Sequence, residues 1–194
     1  MTRIMQSPTE HNTTPELASR EASGLVTAAD MAAVEQAMDT VLATSAATPA
    51  RDAARYHLAN GGRRLRARLA LASGAAWETP SRHRIAAAAA CELLHNASLI
   101  HDDISDGDRY RRHQPTVWVR DGHDVALCAG DLLLTSAFEV AAGIDHAPTS
   151  QALVRQLTSH AHRVIGGQSL ELVARRDAAA PTIRAYARAT REKT

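Results

Sequence analysis

The residues best suited to chemistry lie in the stretch SLIHDDISDGDRYRRHQPT, residues 98 to 116. Four aspartates and three arginines crowd there, directly after a long Ala-rich apolar segment. On a helix, separations of four and seven residues nearly complete whole turns, so His95, Leu99, Asp102 and Asp106 share one stripe, with Asp103 one step round. This spacing predicts up to three carboxylates aimed at a common point. Like charges one turn apart destabilise a helix by roughly 0.2–0.5 kcal/mol, and acids at a C-terminus oppose the macrodipole by roughly 0.3–1 kcal/mol. A divalent cation reverses the sign of that cost. Oxygen donors without cysteine or a histidine pair select a hard ion, Mg2+ rather than zinc, which takes one or two carboxylates together with substrate phosphates. A bare DDxxD in an arbitrary protein is more often a solvated acidic turn, so its neighbours decide the matter.

Those neighbours are arginines. Arg111 and Arg112 follow Gly107 on a segment expected to be a loop, where their forked donors suit phosphate oxygens. A second cluster stands at GGRRLRAR, residues 61 to 68, within a span (51–70) that holds six arginines against one aspartate. Its two glycines permit close backbone approach to a ligand, and Arg63 and Arg66 sit three apart at the start of the next helix. Two anion sites and one metal site imply two diphosphates, one carried on metal and one held by arginine alone.

The elements that position these residues read as helix after helix. Alanine is abundant, β-branched alternation is absent, and Gly and Pro fall between periodic segments. Helices are expected at 27–46, 49–59, 64–77, 81–106, 115–121, 124–144, 149–176 and 181–194, after a polar segment over residues 1–25 that is expected to be disordered. With six aromatic residues in 194, the core must be built from Ala, Leu, Val and Ile, and the fold class is all-α. A net charge of +1 gives no reason to expect nucleic acid as a partner. Cys91 and Cys128 are isolated and read as buried thiols; together with an N-terminus lacking an apolar signal core, they point to a cytoplasmic location. Glu92, His95 and Asn96 interrupt the best candidate for a membrane span, so no transmembrane segment is expected.

In order along the chain, GGRRLRA, ELLHNASLIHDDISD, RYRRHQPT, AGDLLL, GGQSLEL and YARATREKT resemble the motifs of the polyprenyl synthetase family, the trans-isoprenyl diphosphate synthases. The resemblance implies an isoprenoid-synthase-type helical bundle over residues 26–194, assembled as a homodimer or hetero-oligomer. It implies that Asp102 and Asp106 coordinate Mg2+ with Asp103 assisting, and that Arg111 and Lys193 hold the allylic diphosphate. Arg63, Arg66, His95 and Arg112 would bind isopentenyl diphosphate, and Gln168 would line the reacting centre. The catalytic set is then Asp102, Asp103, Asp106, Gln168 and Lys193, in a prenyltransferase that lengthens an allylic diphosphate.

The chain also departs from the family pattern. Arg63 replaces a lysine, Ala67 a proline, His113 a glycine, and Glu171 an aspartate. The family's second aspartate-rich motif belongs on a helix beyond Thr194, so the bundle is expected to be incomplete at its C-terminus, as a fragment or a subunit that needs completion. No aromatic precedes the aspartates. Small Ala97 and Ser98, with Leu94 a turn deeper, are expected to set chain length, and by the resemblance imply geranylgeranyl or longer products. Three other readings compete. A terpene cyclase has no use for the Arg63/Arg66/Arg112 cluster. A di-metal carboxylate bundle would need a second Glu-x-x-His beside Glu92–His95. A regulatory, non-catalytic subunit would share the fold.

Overall fold

The computed structural model describes residues 26–176 and three further positions, 187, 190 and 191. The expected disorder of residues 1–25 and most of the expected helix 181–194 therefore lie outside the described residues. Between residues 26 and 176 the chain forms seven α-helices and one two-stranded hairpin. The helices are α1 (Ala28–Thr44), α2 (Pro49–Ala59), α3 (Leu65–Ala76), α4 (Ser81–Asp106), α5 (Val117–Asp121), α6 (His123–Ala142) and α7 (Ala147–Arg176). The all-α reading holds, and punctuation explains the boundaries. Thr27 and Asp30 close a reciprocal capping box on α1, which satisfies two otherwise orphaned N–H groups. Pro49 opens α2 behind a Thr48 cap, and Gly107 ends α4 in the left-handed conformation.

The core is built from small aliphatic side chains. Helices α4 and α6 pack most extensively, with α3, α2 and α1 laid around them. Ala88, Ala89, Leu93, Ala97 and Ile100 of α4 meet Ala126, Ala129, Leu133 and Ala137 of α6 in one buried cluster. Alanine brings helix axes close. At one crossing the His101 ring lies over Gly130, where a Cβ would sit 2.2 Å from its Nε2 and displace the ring. A smaller cluster joins Ala90, Ala141 and Leu157, with Cys91, Leu94, Phe138, Leu153 and Val154 against it.

Three expectations are corrected. Segment 107–116 is not a plain loop: Tyr110–Arg111 pairs antiparallel with Gln114–Pro115, so the next helix begins at Val117 rather than 115. The turn between the strands places both Arg112 (φ 53°) and His113 (φ 67°) in the left-handed region, the requirement of a type I′ turn. No Asn-Gly pair advertises it. The cysteines are not both buried: Cys91 is half-buried and Cys128 exposed, and both are free thiols. Finally, α6 is long and apolar enough to cross a membrane by length and composition, contrary to the expectation that no such run exists; in the bundle it packs against α4.

The hairpin is strained at His113 because an L-residue there costs about 1 kcal/mol that glycine avoids. His113→Gly is expected to raise the urea midpoint by an amount worth about 0.5–1 kcal/mol, with His113→Ala giving no such gain. Equal midpoints for the two variants would refute the strain.

Candidate functional site

Three elements meet at one end of the bundle: the α2–α3 connection, the C-terminal half of α4, and the hairpin. The connection turns on Gly61 (φ 73°) and Gly62 (φ 132°), conformations open to glycine at little cost. A Cβ on Gly62 would lie 2.5–2.7 Å from the Arg112 guanidinium. The glycine thus lets the hairpin arginine lie directly over the backbone that leads to Arg63 and Arg66. The hairpin is tied down at both ends. Tyr56 donates from its hydroxyl to the Pro115 carbonyl at 2.8 Å. Thr116 Oγ1 and Trp118 Nε1 donate to the Asp108 carbonyl at 2.9 and 2.8 Å.

The expected anion residues are drawn together unequally. Arg66 Nη1 lies 3.1 Å from His95 Nε2, joining two of the four. Burial, with help from the positive field of Arg66, pulls His95 down to about 4, so the ring is neutral at pH 7 and accepts from the guanidinium. Arg63 is exposed nearby on the same turn. Arg112 packs on Gly62 as described, and burial followed by the repulsion of Arg64 and Arg111 lowers its affinity for a proton.

The aspartates divide. Asp102 is half-buried and Asp106 exposed on one stripe of α4, whereas Asp103 is 1% exposed and faces inward. Its carboxylate accepts from Arg111 Nε at 2.8 Å and Nη2 at 2.5 Å. Three carboxylates therefore do not converge, because Asp103 turns to meet the hairpin. Correspondingly, two donors of Arg111 are committed to Asp103 rather than to a ligand. Burial pushes the Asp103 carboxyl upward against the pull of that guanidinium, while the hydrogen bond to Asp103 raises Arg111. Among the described residues, no group of three or more His, Cys, Asp or Glu side chains is arranged to hold a metal. Asp102 and Asp106 nevertheless offer an oxygen-only pair that fits a hard cation taking substrate phosphates as its remaining ligands. A cation already occupies part of this position: Arg175 Nη1 of α7 donates to Asp106 Oδ1 at 2.5 Å and also engages Glu171.

Further residues are placed as follows. Gln168 lies on α7, and both its amide oxygen and nitrogen are buried without a hydrogen-bond partner. Ser98 is half-buried, its hydroxyl turned back to the His95 carbonyl at 2.7 Å. Leu94 packs between both apolar clusters. Ala97, at 2% exposure, belongs to the packed core, so it borders α6 rather than open space. Lys193 lies outside the described residues.

Sequence reasoning missed three members of this end. Arg64 and Glu92 form a buried ion pair with 3.6 Å between Nη1 and Oε1. His57, 4% exposed, is pulled to about 4 by burial and then by Arg111 and Arg112. Only the three-dimensional neighbours reveal these roles. A histidine held neutral in the fold but charged in the unfolded chain costs stability as pH falls from its ordinary value near 6.5 towards 4. The chain should be less stable at pH 5 than at pH 7, with His57 alone supplying on the order of 1–2 kcal/mol. Thermal midpoints at the two pH values check this, and His57→Gln should shrink the difference, His95 keeping its own share. An NMR titration placing the His57 transition above 6 would overturn it.

A family model described as polyprenyl synthetase matches residues 48–194. The chain is 38% identical over 128 residues to a geranylgeranyl diphosphate synthase of Cyanophora paradoxa, covering 62% of this chain and 43% of that protein. It is also 38% identical over 146 residues to a probable farnesyl diphosphate synthase of Sinorhizobium fredii, covering 72% of this chain and 44% of the relative. Among solved structures, geranylgeranyl pyrophosphate synthetase from Pyrococcus horikoshii superposes with a TM-score of 0.81 at 28% identity, covering 91% of this chain and 54% of that one. The chain thus spans less than half the length of these curated relatives.

Proposed function

The chain belongs to the polyprenyl synthetase family, and from that premise we propose that it carries the substrate-binding end of a Mg2+-dependent prenyltransferase. The reaction joins isopentenyl diphosphate to an allylic diphosphate and yields a longer isoprenyl diphosphate, geranylgeranyl or longer. The observation that carries this reading is the pairing of two unlike charge sites on one helix. Asp102 and Asp106 lie on α4 two turns beyond His95, which meets Arg66, a separation of about 10 Å along the axis.

In this reading Arg63, Arg66, His95 and Arg112 bind the isopentenyl diphosphate. Neutral His95 orients the Arg66 fork without adding charge. Asp102 and Asp106 would hold Mg2+, which supplies charge neutralisation for the departing diphosphate. Arg111, braced by Asp103, and Lys193 add positive charge beside the same allylic diphosphate. The Gln168 amide, buried without a partner, is suited to a polar ligand group at the reacting centre. The allylic C–O bond breaks, the isopentenyl double bond attacks that carbon, and a proton leaves to the released diphosphate, so no side-chain base is needed. The hydrocarbon tail runs along the half-buried face of Ser98, Leu94 and Cys91, each turn of α4 spanning about 5.4 Å. A homodimer or hetero-oligomer in the cytoplasm suits this role, and the exposed Cys128 thiol suits a reducing compartment.

The test is Mg2+-dependent incorporation of labelled isopentenyl diphosphate, run on this chain and on a version extended past Thr194. Arg66→Ala should lower kcat/KM for isopentenyl diphosphate by about 10–100-fold, as expected for one charged hydrogen-bonding group. Ser98→Phe should shorten the product. Absence of turnover in both chains would overturn the enzyme reading, and an unchanged product length in Ser98→Phe would remove this face of α4 as the tail wall.

A further inference from the structure

Helix α3 carries Arg66 on its first turn, yet its own sequence provides no cap. The N-cap position is Arg64, held in the left-handed conformation at φ 47°, with no side-chain capping bond. First-turn N–H groups have no partner within their helix and must find one elsewhere. Here the partner comes from another helix: Glu92 Oε2 of α4 accepts from the Ala67 N–H at 3.3 Å. Glu92 is 3% exposed, and its Oε1 accepts from Asn96 Nδ2 at 3.3 Å. Arg64, whose side chain is 8% exposed, faces both Glu92 and Glu35 at 3.6 Å. It is anchored by donating from Nη2 to the Leu58 carbonyl at 2.8 Å.

We propose that the buried Arg64–Glu92 pair is a positioning device for the isopentenyl diphosphate half-site, clamping the first turn of α3 to α4 so that Arg66 meets His95. The inference rests on the function proposed above. The geometry is short-range. Glu92 grips residue 67 and stands one turn before His95, so a single carboxylate fixes both partners of the 3.1 Å Arg66–His95 contact. Arg64 does a second task. An unpaired Glu92 would draw Arg112, whose charge already feels it, and would act as an internal competitor for the diphosphate. Paired with Arg64, it holds the backbone while leaving the ligand arginines uncompensated. Stability alone does not call for such a pair, since apolar residues of similar volume often serve a core as well. At position 67 a proline would achieve part of the same end by another route, having no N–H to satisfy and a fixed φ suited to a helix's first turn.

The test compares wild type with the double variant Arg64→Met/Glu92→Leu, with and without Ala67→Pro. Isopentenyl diphosphate binding is read by calorimetry and His95 by NMR titration. The double variant, which leaves the Ala67 N–H without an acceptor, is expected to fold with a lowered thermal midpoint and to bind about tenfold more weakly, with His95 rising above about 4 as Arg66 moves away. Loss of the Glu92 charge alone, with geometry intact, would move His95 further down, so the direction of the shift separates positioning from electrostatics. Adding Ala67→Pro should restore affinity to within about threefold. Unchanged affinity with His95 at or below about 4 would overturn the proposal. If wild type itself binds no isopentenyl diphosphate, the functional reading fails, and the direction of the His95 shift still decides the clamp. If the double variant does not fold, Arg64→Met/Glu92→Gln decides: the amide oxygen still accepts from Ala67 and no buried charge is left unpaired, so affinity should hold within about threefold, and a tenfold loss would refute the clamp.

Discussion

Arginines gathered at one end of a small bundle repel one another, and everything at that end follows from how the repulsion is met. Arg64, Arg66, Arg111 and Arg112 converge where α2, α3, α4 and the hairpin join, with Arg63 exposed on the adjoining turn. Among the described residues two carboxylates are fully buried, Glu92 and Asp103, and each is spent on one arginine. Asp103 braces Arg111 and Glu92 faces Arg64. Both acids come from α4, so this helix supplies the counter-charges from beneath and the candidate ligands at its surface. Arg63, Arg66 and Arg112 have no buried anion of their own. The arrangement leaves the end of the bundle positive where an anion would approach and neutral where the chain must pack.

The histidines follow from the same field. His57 and His95 are both pulled to about 4 by burial and by adjacent guanidinium groups. Protonating either would add a sixth positive charge to a cluster already short of anions. Their neutrality comes first from burial, to which the cluster's positive field adds, and acid works against the fold at the place where the cations are densest.

Much of the fold was legible in the sequence because its boundaries carry local chemistry. Gly107, the Thr48-Pro49 pair and the Asn60-Gly61-Gly62 turn mark helix ends whatever the tertiary structure. The stripe of His95, Asp102 and Asp106 was legible for the same reason, since helical periodicity alone places them. Periodicity could not say that Asp103, one step round, turns inward, because that depends on where the hairpin lies. The hairpin itself was hidden, with Arg112 and His113 filling turn positions that sequences usually mark with Asn or Gly. Arg64, Glu92 and His57 were hidden more deeply. A charged residue announces nothing about burial until its partners, tens of residues away, are brought beside it.

Gly130 has a consequence for the orientation of α4 about its own axis. Its missing side chain accommodates His101, the residue directly before Asp102. Among the many alanines of this interface, the seat that Gly130 gives His101 is one more contact, besides Leu93 and Ile100, that fixes how α4 is turned. Carboxylates carried about 6 Å from a helix axis sweep roughly 2 Å for a roll of 20°, well beyond the tolerance of a cation or a diphosphate for its ligands. The glycine on α6 thus gives His101 a seat that helps fix the turn of α4, and with it the direction of Asp102 and Asp106, about 100° and 140° further round the helix.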